Sequence, residues 1–222
     1  MRRAAALLGA TLVLAFLGST PARGAECPSE KASAEVRFST QTGRVVLHND
    51  YDRDQIKRLH TQQRAMAQGW HPIGLTRGEI KMSINVNTRS YPVAKNKFCA
   101  RLTSVEATVG YDDLHVYVAN RYRPGSCQYQ SVLAHEQLHV RAFEDAVRKH
   151  APRMEAHLRK VARGLPPLVA ASPESAAERF KERMQKELQP FFRDMNRDID
   201  AANAALDSEE NYRREQMQCP SW

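Results

Sequence analysis

Between Leu133 and Val140 the chain reads Leu-Ala-His-Glu-Gln-Leu-His-Val, and this stretch constrains the fold more than any other. Two histidines four residues apart share a face only on a helix, one turn apart. Val132, Leu133, Phe143, Ala146 and Val147 recur at helical spacing around them, so His135 and His139 lie on or beside the stripe that a core must cover. Two neutral imidazoles so placed are a zinc-binding pair, and Glu136, next to the first, is placed to act as general base on a water. The spacing therefore predicts a helix whose buried face, or its margin, carries a zinc site.

Upstream lies an export leader. Met1-Arg2-Arg3 is a charged start, residues 4–17 are apolar, and small residues lead to Ala22-Arg23-Gly24. This pattern predicts a signal peptide over residues 1–24, too short in its apolar run to span a bilayer. Residues 25–222 are then a single domain, mainly strands plus one helix over 25–126 and mainly helical over 127–222. No later stretch is apolar enough to cross a membrane. The expected location is periplasmic or secreted.

Without Arg2, Arg3 and Arg23 the chain carries 30 basic and 25 acidic residues, and its charge falls from +8 to +5. Residues 25–171 hold 22 basic against 14 acidic residues, and residues 172–222 hold 8 against 11. A basic body with an acidic tail favours contact between the two and does not call for nucleic acid. Four cysteines in an exported chain predict two disulfides. Residues 103–110 and 114–120 read as a hairpin turning at Tyr111-Asp112-Asp113, which would bring Cys99 to Cys127 and leave Cys27 for Cys219.

The remaining elements follow from periodicity and punctuation. Strands are expected over 34–39, 44–48, 73–76 and 79–87, with a helix over 52–68 starting at Asp52. Residues 88–97, with Pro92, read as a loop. The motif helix should run over 127–150, break at Pro152 and restart over 153–163. A last long helix begins at Ser172-Pro173 and carries Phe180, Met184, Leu188, Met195 and Ile199 on one stripe. Pro190 should kink it.

A catalytic zinc takes three protein ligands and keeps an open position. Asp145 is spaced as in metzincins, but Ala142 stands where a helix-ending glycine is needed, so Asp145 turns away, and Glu144 faces the opposite side. Glu155 and His157 lie on the following helix. The third source is the last helix. A hairpin centred near residues 168–173 brings residues 194–211 alongside His135 and His139. Within that acidic window Glu209 is the expected third ligand.

His135-Glu136-Gln137 in its Val-Leu-Ala context, with Glu144 and Ala146 on the same helix, resembles a bacterial family of predicted secreted zinc-dependent peptidases, known as a domain of unknown function. That family ends in Tyr-Asp-x-Glu-Thr-x-His-Gly. Here Asp207 and Glu209 fit this stretch, and Tyr212 stands where the family has histidine. The resemblance implies an α+β, zincin-like fold: a small twisted sheet packed on the motif helix, with a C-terminal helical arm. It implies a zinc metallopeptidase acting on peptide or protein substrates, which an edge strand, expected over 114–120, would hold in extended form. Tyr212 is a candidate for stabilising an oxyanion. The rival class is a non-enzymatic envelope protein that binds a partner through its helices and has a structural or vestigial metal site.

Overall fold

The computed structural model describes Cys27, residues 33–61 and residues 72–222. The expected leader, the second half of the helix placed at 52–68, and Trp70-His71 lie outside the described residues. The architecture is α+β. Strands β1 (Glu35–Thr42), β4 (Ile80–Ala94) and β5 (Lys97–Tyr111) form one sheet in the order β1-β5-β4, and β7 (Leu168–Ala170) pairs with the start of β5. A second sheet has the order β2-β6-β3, from β2 (Val45–His48), β6 (Leu114–Val118) and β3 (Gly74–Arg77). Helices α1 (Arg53–Thr61), α2 (Cys127–Gly164), α3 (Pro173–Leu206) and α4 (Glu209–Gln216) complete the chain.

The two sheets are linked by a step that the sequence disguises. β5 pairs with β1, and β6 with β2, both in parallel; β5 and β6 do not pair with each other. Tyr111-Asp112-Asp113 is therefore not a reverse turn. Its acids bind neighbours instead: Asp112 accepts from Gln41 (2.8 Å) and Lys81 (2.6 Å), and Asp113 from the Arg44 backbone (3.0 Å). Gly43 makes the step possible, because a Cβ there would lie 0.9 Å from the Asp112 carbonyl oxygen. With no hairpin at this point, the expected 99–127 and 27–219 pairing is corrected. The disulfides are Cys27–Cys99 and Cys127–Cys219, with Cα–Cα distances of 5.4 and 5.8 Å.

Residues 88–97 are also not the expected loop. β4 continues to Ala94 and turns into β5 through Lys95-Asn96 alone, with Asn96 at φ 55°. Asparagine tolerates that region better than most residues. Pro92 is accommodated because β4 is an edge strand, where half the backbone groups have no ladder partner.

Pro152 does not break the motif helix. α2 runs 38 residues through it, and the buried Val147, Ala151, Met154 and Leu158 continue one stripe on both sides. Their burial outweighs the lost hydrogen bond and the ring clash, a cost of about 3 kcal/mol. Ser126 caps α2 by accepting from the Tyr129 N–H. Ser172 and Ser175 form a reciprocal cap on α3, with Pro173 in its first turn. α3 also continues through its internal Pro190.

α2 and α3 pack antiparallel. His157 meets Glu187, Lys149 meets Asp198 and His139 meets Asn203, so the partner's number falls as the α2 number rises. Their shared core joins Val140, Phe143 and Met154 to Met184, Leu188 and Met195. Two disulfides fit a protein that matures in an oxidising compartment. Among the described residues no helix is long and apolar enough to cross a membrane.

Candidate metal centre

α2 presents His135 and His139 inward, one turn apart, at 5% and 7% exposure. The far end of α3 delivers the third group. α3 stops at Leu206, Asp207 caps it, and Ser208 caps α4 by accepting from the Asn211 N–H. Asp207 thus occupies the corner between two helices, with its carboxylate turned back to α2. One oxygen, Oδ1, lies 3.3 Å from His135 Nε2 and 3.2 Å from His139 Nε2. The two Nε2 atoms are 3.1 Å apart. Among the described residues these three form the one group of acid, histidine or cysteine ligand atoms close enough to hold a metal ion.

Glu209, the expected third ligand, does not join the two histidines; Asp207 stands in that place instead. The Glu209 side chain is 82% exposed and ion-paired with Arg213. Ser208 starts a new helix, so Glu209 falls in that helix's first turn, where an acid favours the exposed N-terminus. The signal was present: a serine followed by two acids is a helix start, and the residue before it is the corner. Asp145 pairs with Arg148, Glu155 with Arg159, and His157 with Glu187; none reaches the histidines.

The outer ends of both imidazoles are fixed. His135 Nδ1 lies 2.7 Å from Glu215 Oε1 on α4, and His139 Nδ1 lies 2.9 Å from Asn203 Oδ1 on α3. Each outer nitrogen therefore donates, which leaves Nε2 as a lone pair pointing inward. Three acceptors then face one another at hydrogen-bond distance, and only protons or a cation can reconcile them. Ligands about 2.0–2.1 Å from a tetrahedral zinc lie roughly 3.3 Å from one another. The observed edges of 3.1–3.3 Å match that triangle, so the residues fit a zinc ion. The end of α3 adds the negative pole of its dipole. Sequence reasoning missed Glu215 and Asn203, because neither belongs to a motif and both arrive through helix packing.

The electrostatics describe the same conflict in protons. Burial alone would pull His135 down, but Asp207, Glu136 and Glu215 outweigh it and push it up to about 9. His139 is raised as well, against its own burial, chiefly by Asp207 and Glu136. Asp207 is held well below the usual carboxylate range, because His135 and His139 outweigh the effect of its burial. Burial pushes Glu136 up, against the opposing pull of His139, His135 and Thr76.

Glu136 is positioned from β3. Thr76 Oγ1 lies 2.8 Å from Glu136 Oε2 and 2.9 Å from its backbone oxygen. Gly74 clears the space, since a Cβ there would meet Glu136 Oε1 at 2.4 Å and Val132 Cγ1 at 2.6 Å. Tyr212, on α4, donates its hydroxyl to Asp207 Oδ1 at 2.6 Å, and its ring lies 5.2 Å from that of His135. Burial and Asp207 hold that phenol well above its ordinary range.

Two cavities reach the centre. One of about 460 Å³ is lined by Gly74, Thr76, Glu136, His139 and Asp207. One of about 350 Å³ is lined by Arg53, Arg121, Val132, His135 and Trp222. Glu136 and Tyr212 line both. The strand expected at 114–120 to be an edge is β6, the middle of its sheet; the edge beside Glu136 is β3, which among the described residues pairs with β6 alone. His115 lies 3.0 Å from His48 and takes no part in the centre. Compared with family models, with curated proteins and with solved structures, the chain matches none.

Proposed function

We propose that this chain is a secreted or periplasmic zinc-dependent metallopeptidase of zincin-like plan. The observation that carries the reading is the inward convergence of His135, His139 and Asp207 beside a buried Glu136. The carboxylate and carbonyl on the outer nitrogens set both imidazoles for a metal.

Zinc would supply a Lewis acid that polarises a carbonyl and makes water acidic near neutral pH. His135, His139 and Asp207 would hold it. Glu136, its proton affinity raised by burial, takes a proton from water and delivers it to the leaving amine. Thr76 keeps the Glu136 carboxylate in one orientation while it does so. Tyr212 presents a hydroxyl, still protonated at neutral pH, beside the ligand triangle, where it can donate to negative charge developing on the carbonyl oxygen. The side of β3 away from β6, which has no strand partner among the described residues, can take an extended peptide by strand addition.

The test is metal content and turnover together. Plasma mass spectrometry of the full chain, exported to an oxidising compartment, should find about one zinc per chain, and almost none in His135→Ala. Glu136→Ala should keep the metal and lose at least ~100-fold in chelator-sensitive hydrolysis of casein or a peptide library. Equal activity in Glu136→Ala would sink the mechanism. Zinc without turnover in the wild type would favour a metal-holding interaction protein instead.

A further inference from the structure

Resting on the peptidase reading, we infer that the 350 Å³ cavity beside His135 is a subsite that recognises a carboxylate on the substrate. Its size is in the range of pockets that hold small ligands. Two arginines line it, the half-buried Arg53 at the start of α1 and the exposed Arg121 before α2. Among the described residues neither is in an ion pair, although the chain is rich in carboxylates. Arg53 Nε is buried and has no hydrogen-bond partner among the described residues. A buried donor left unmade is costly, which makes it informative. The two acids that also line the cavity are already committed: Glu215 to His135 at 2.7 Å and Glu136 to Thr76 at 2.8 Å.

Arg121 is held in place by the ring of Tyr122, 5.2 Å from its guanidinium carbon, and Tyr122 meets Trp222 edge to face at 6.0 Å. Trp222 donates its indole N–H to the Gln216 carbonyl at 2.7 Å, and Cys127–Cys219 ties this tail to α2. The wall is thus aromatic and anchored, with cationic groups on it. Planar guanidinium groups match a carboxylate in shape and charge. Either an acidic side chain or a peptide's C-terminal carboxylate supplies this chemistry, next to the group that would take the proton in hydrolysis.

The chain contains two tryptophans, so in a Trp70→Phe background Trp222 emission reports on this cavity alone. The zinc-loaded full chain is titrated with three acetylated peptides. Acetyl-Ala-Ala-Glu amide carries only a side-chain carboxylate, acetyl-Ala-Ala-Gln acid only a terminal one, and acetyl-Ala-Ala-Gln amide neither. The expected result is at least ~10-fold tighter binding of one or both charged peptides, with the preference abolished by Arg53→Met or Arg121→Met. The charged peptide that binds tighter identifies the source. Equal affinities, or no binding of any peptide, would overturn the subsite. So would a preference that survives both arginine variants and vanishes on chelation, which would assign the carboxylate to the metal. Preference without hydrolysis would leave the subsite standing and sink the peptidase; hydrolysis without preference would do the reverse.

Discussion

Two buried histidine–carboxylate encounters lie about three turns apart on the α2–α3 seam, and they differ in what the second ring nitrogen does. Burial does not distinguish them: His150 is 2% exposed, His135 5% and His139 7%. At the His135–His139 end, each outer nitrogen has an acceptor, so each inner nitrogen is a lone pair aimed at a common point. At His150 the inner nitrogen meets Asp198 at 2.8 Å, and the outer one has no partner. There the cation is already built in, since Lys149 Nζ lies 2.6 Å from the same Asp198 oxygen. A buried histidine beside an acid is therefore not by itself a candidate metal centre. The site needs several donors converging, each fixed from outside, and no resident cation.

The largest expected contrast is in metal content. His139→Ala should abolish zinc binding, whereas His150→Ala should keep about one zinc per chain. His150→Ala should instead lower stability by about 1–3 kcal/mol in urea, as removal of a buried side chain does. If both variants lost zinc equally with their folds intact, the distinction between the two encounters would fail.

The two disulfides provide the next contrast. They close loops of similar length, with sequence separations of 72 and 92 residues. In the chain-entropy picture each constrains the unfolded chain by about 4–5 kcal/mol, so removing either should cost comparable stability. Their effects on zinc should diverge. Cys127–Cys219 holds the tail that carries Glu215 and Tyr212, whereas Cys27–Cys99 anchors β5 far along the sheet. Replacing the first pair by serine should weaken zinc affinity by about 10–100-fold, the usual loss when an outer hydrogen-bond partner of a ligand is released. Replacing the second should leave it near wild type. Competition with a chromogenic chelator measures both.

These contrasts also mark what the residues disclosed on their own. The start of the motif helix and the stripe of α3 were legible because each is a local periodicity, that of α3 with a clear cap at Ser172. The antiparallel packing of the two helices then placed residues 194–211, a window that includes Asp207, beside His135 and His139. What failed depended on non-local partners. Tyr111-Asp112-Asp113 has the composition of a turn, but its acids are consumed by Gln41 in β1, Lys81 in β4 and Arg44 between β1 and β2, all distant in sequence. That one misreading carried the disulfide pairing with it. Pro92 and Pro152 behave unlike local punctuation because an edge position and a continuous buried stripe override them. Glu209 lost to Asp207 over a helix boundary two residues wide, the scale at which periodicity stops resolving.

The smallest expected effect tests the built-in cation. Lys149 and His150 hold the Asp198 carboxyl at about 2, below its ordinary 3.8. A carboxyl depressed in the folded state stabilises the fold above its unfolded value, and this contribution disappears as the pH falls from about 4 towards 2. Asp198→Asn should therefore be less stable than wild type at pH 5, and the gap should close by about pH 2. The measurement belongs on chelated protein, so that release of zinc in acid does not enter. Acid titration of the Asp207 cluster is then common to both proteins and cancels in their difference. Asp198 is a third exposed, so salt should shrink the gap. A gap that is constant from pH 5 to 2 would show that the Asp198 charge contributes nothing. His150 would then be held by packing alone, and the built-in cation would no longer account for the difference between the two encounters.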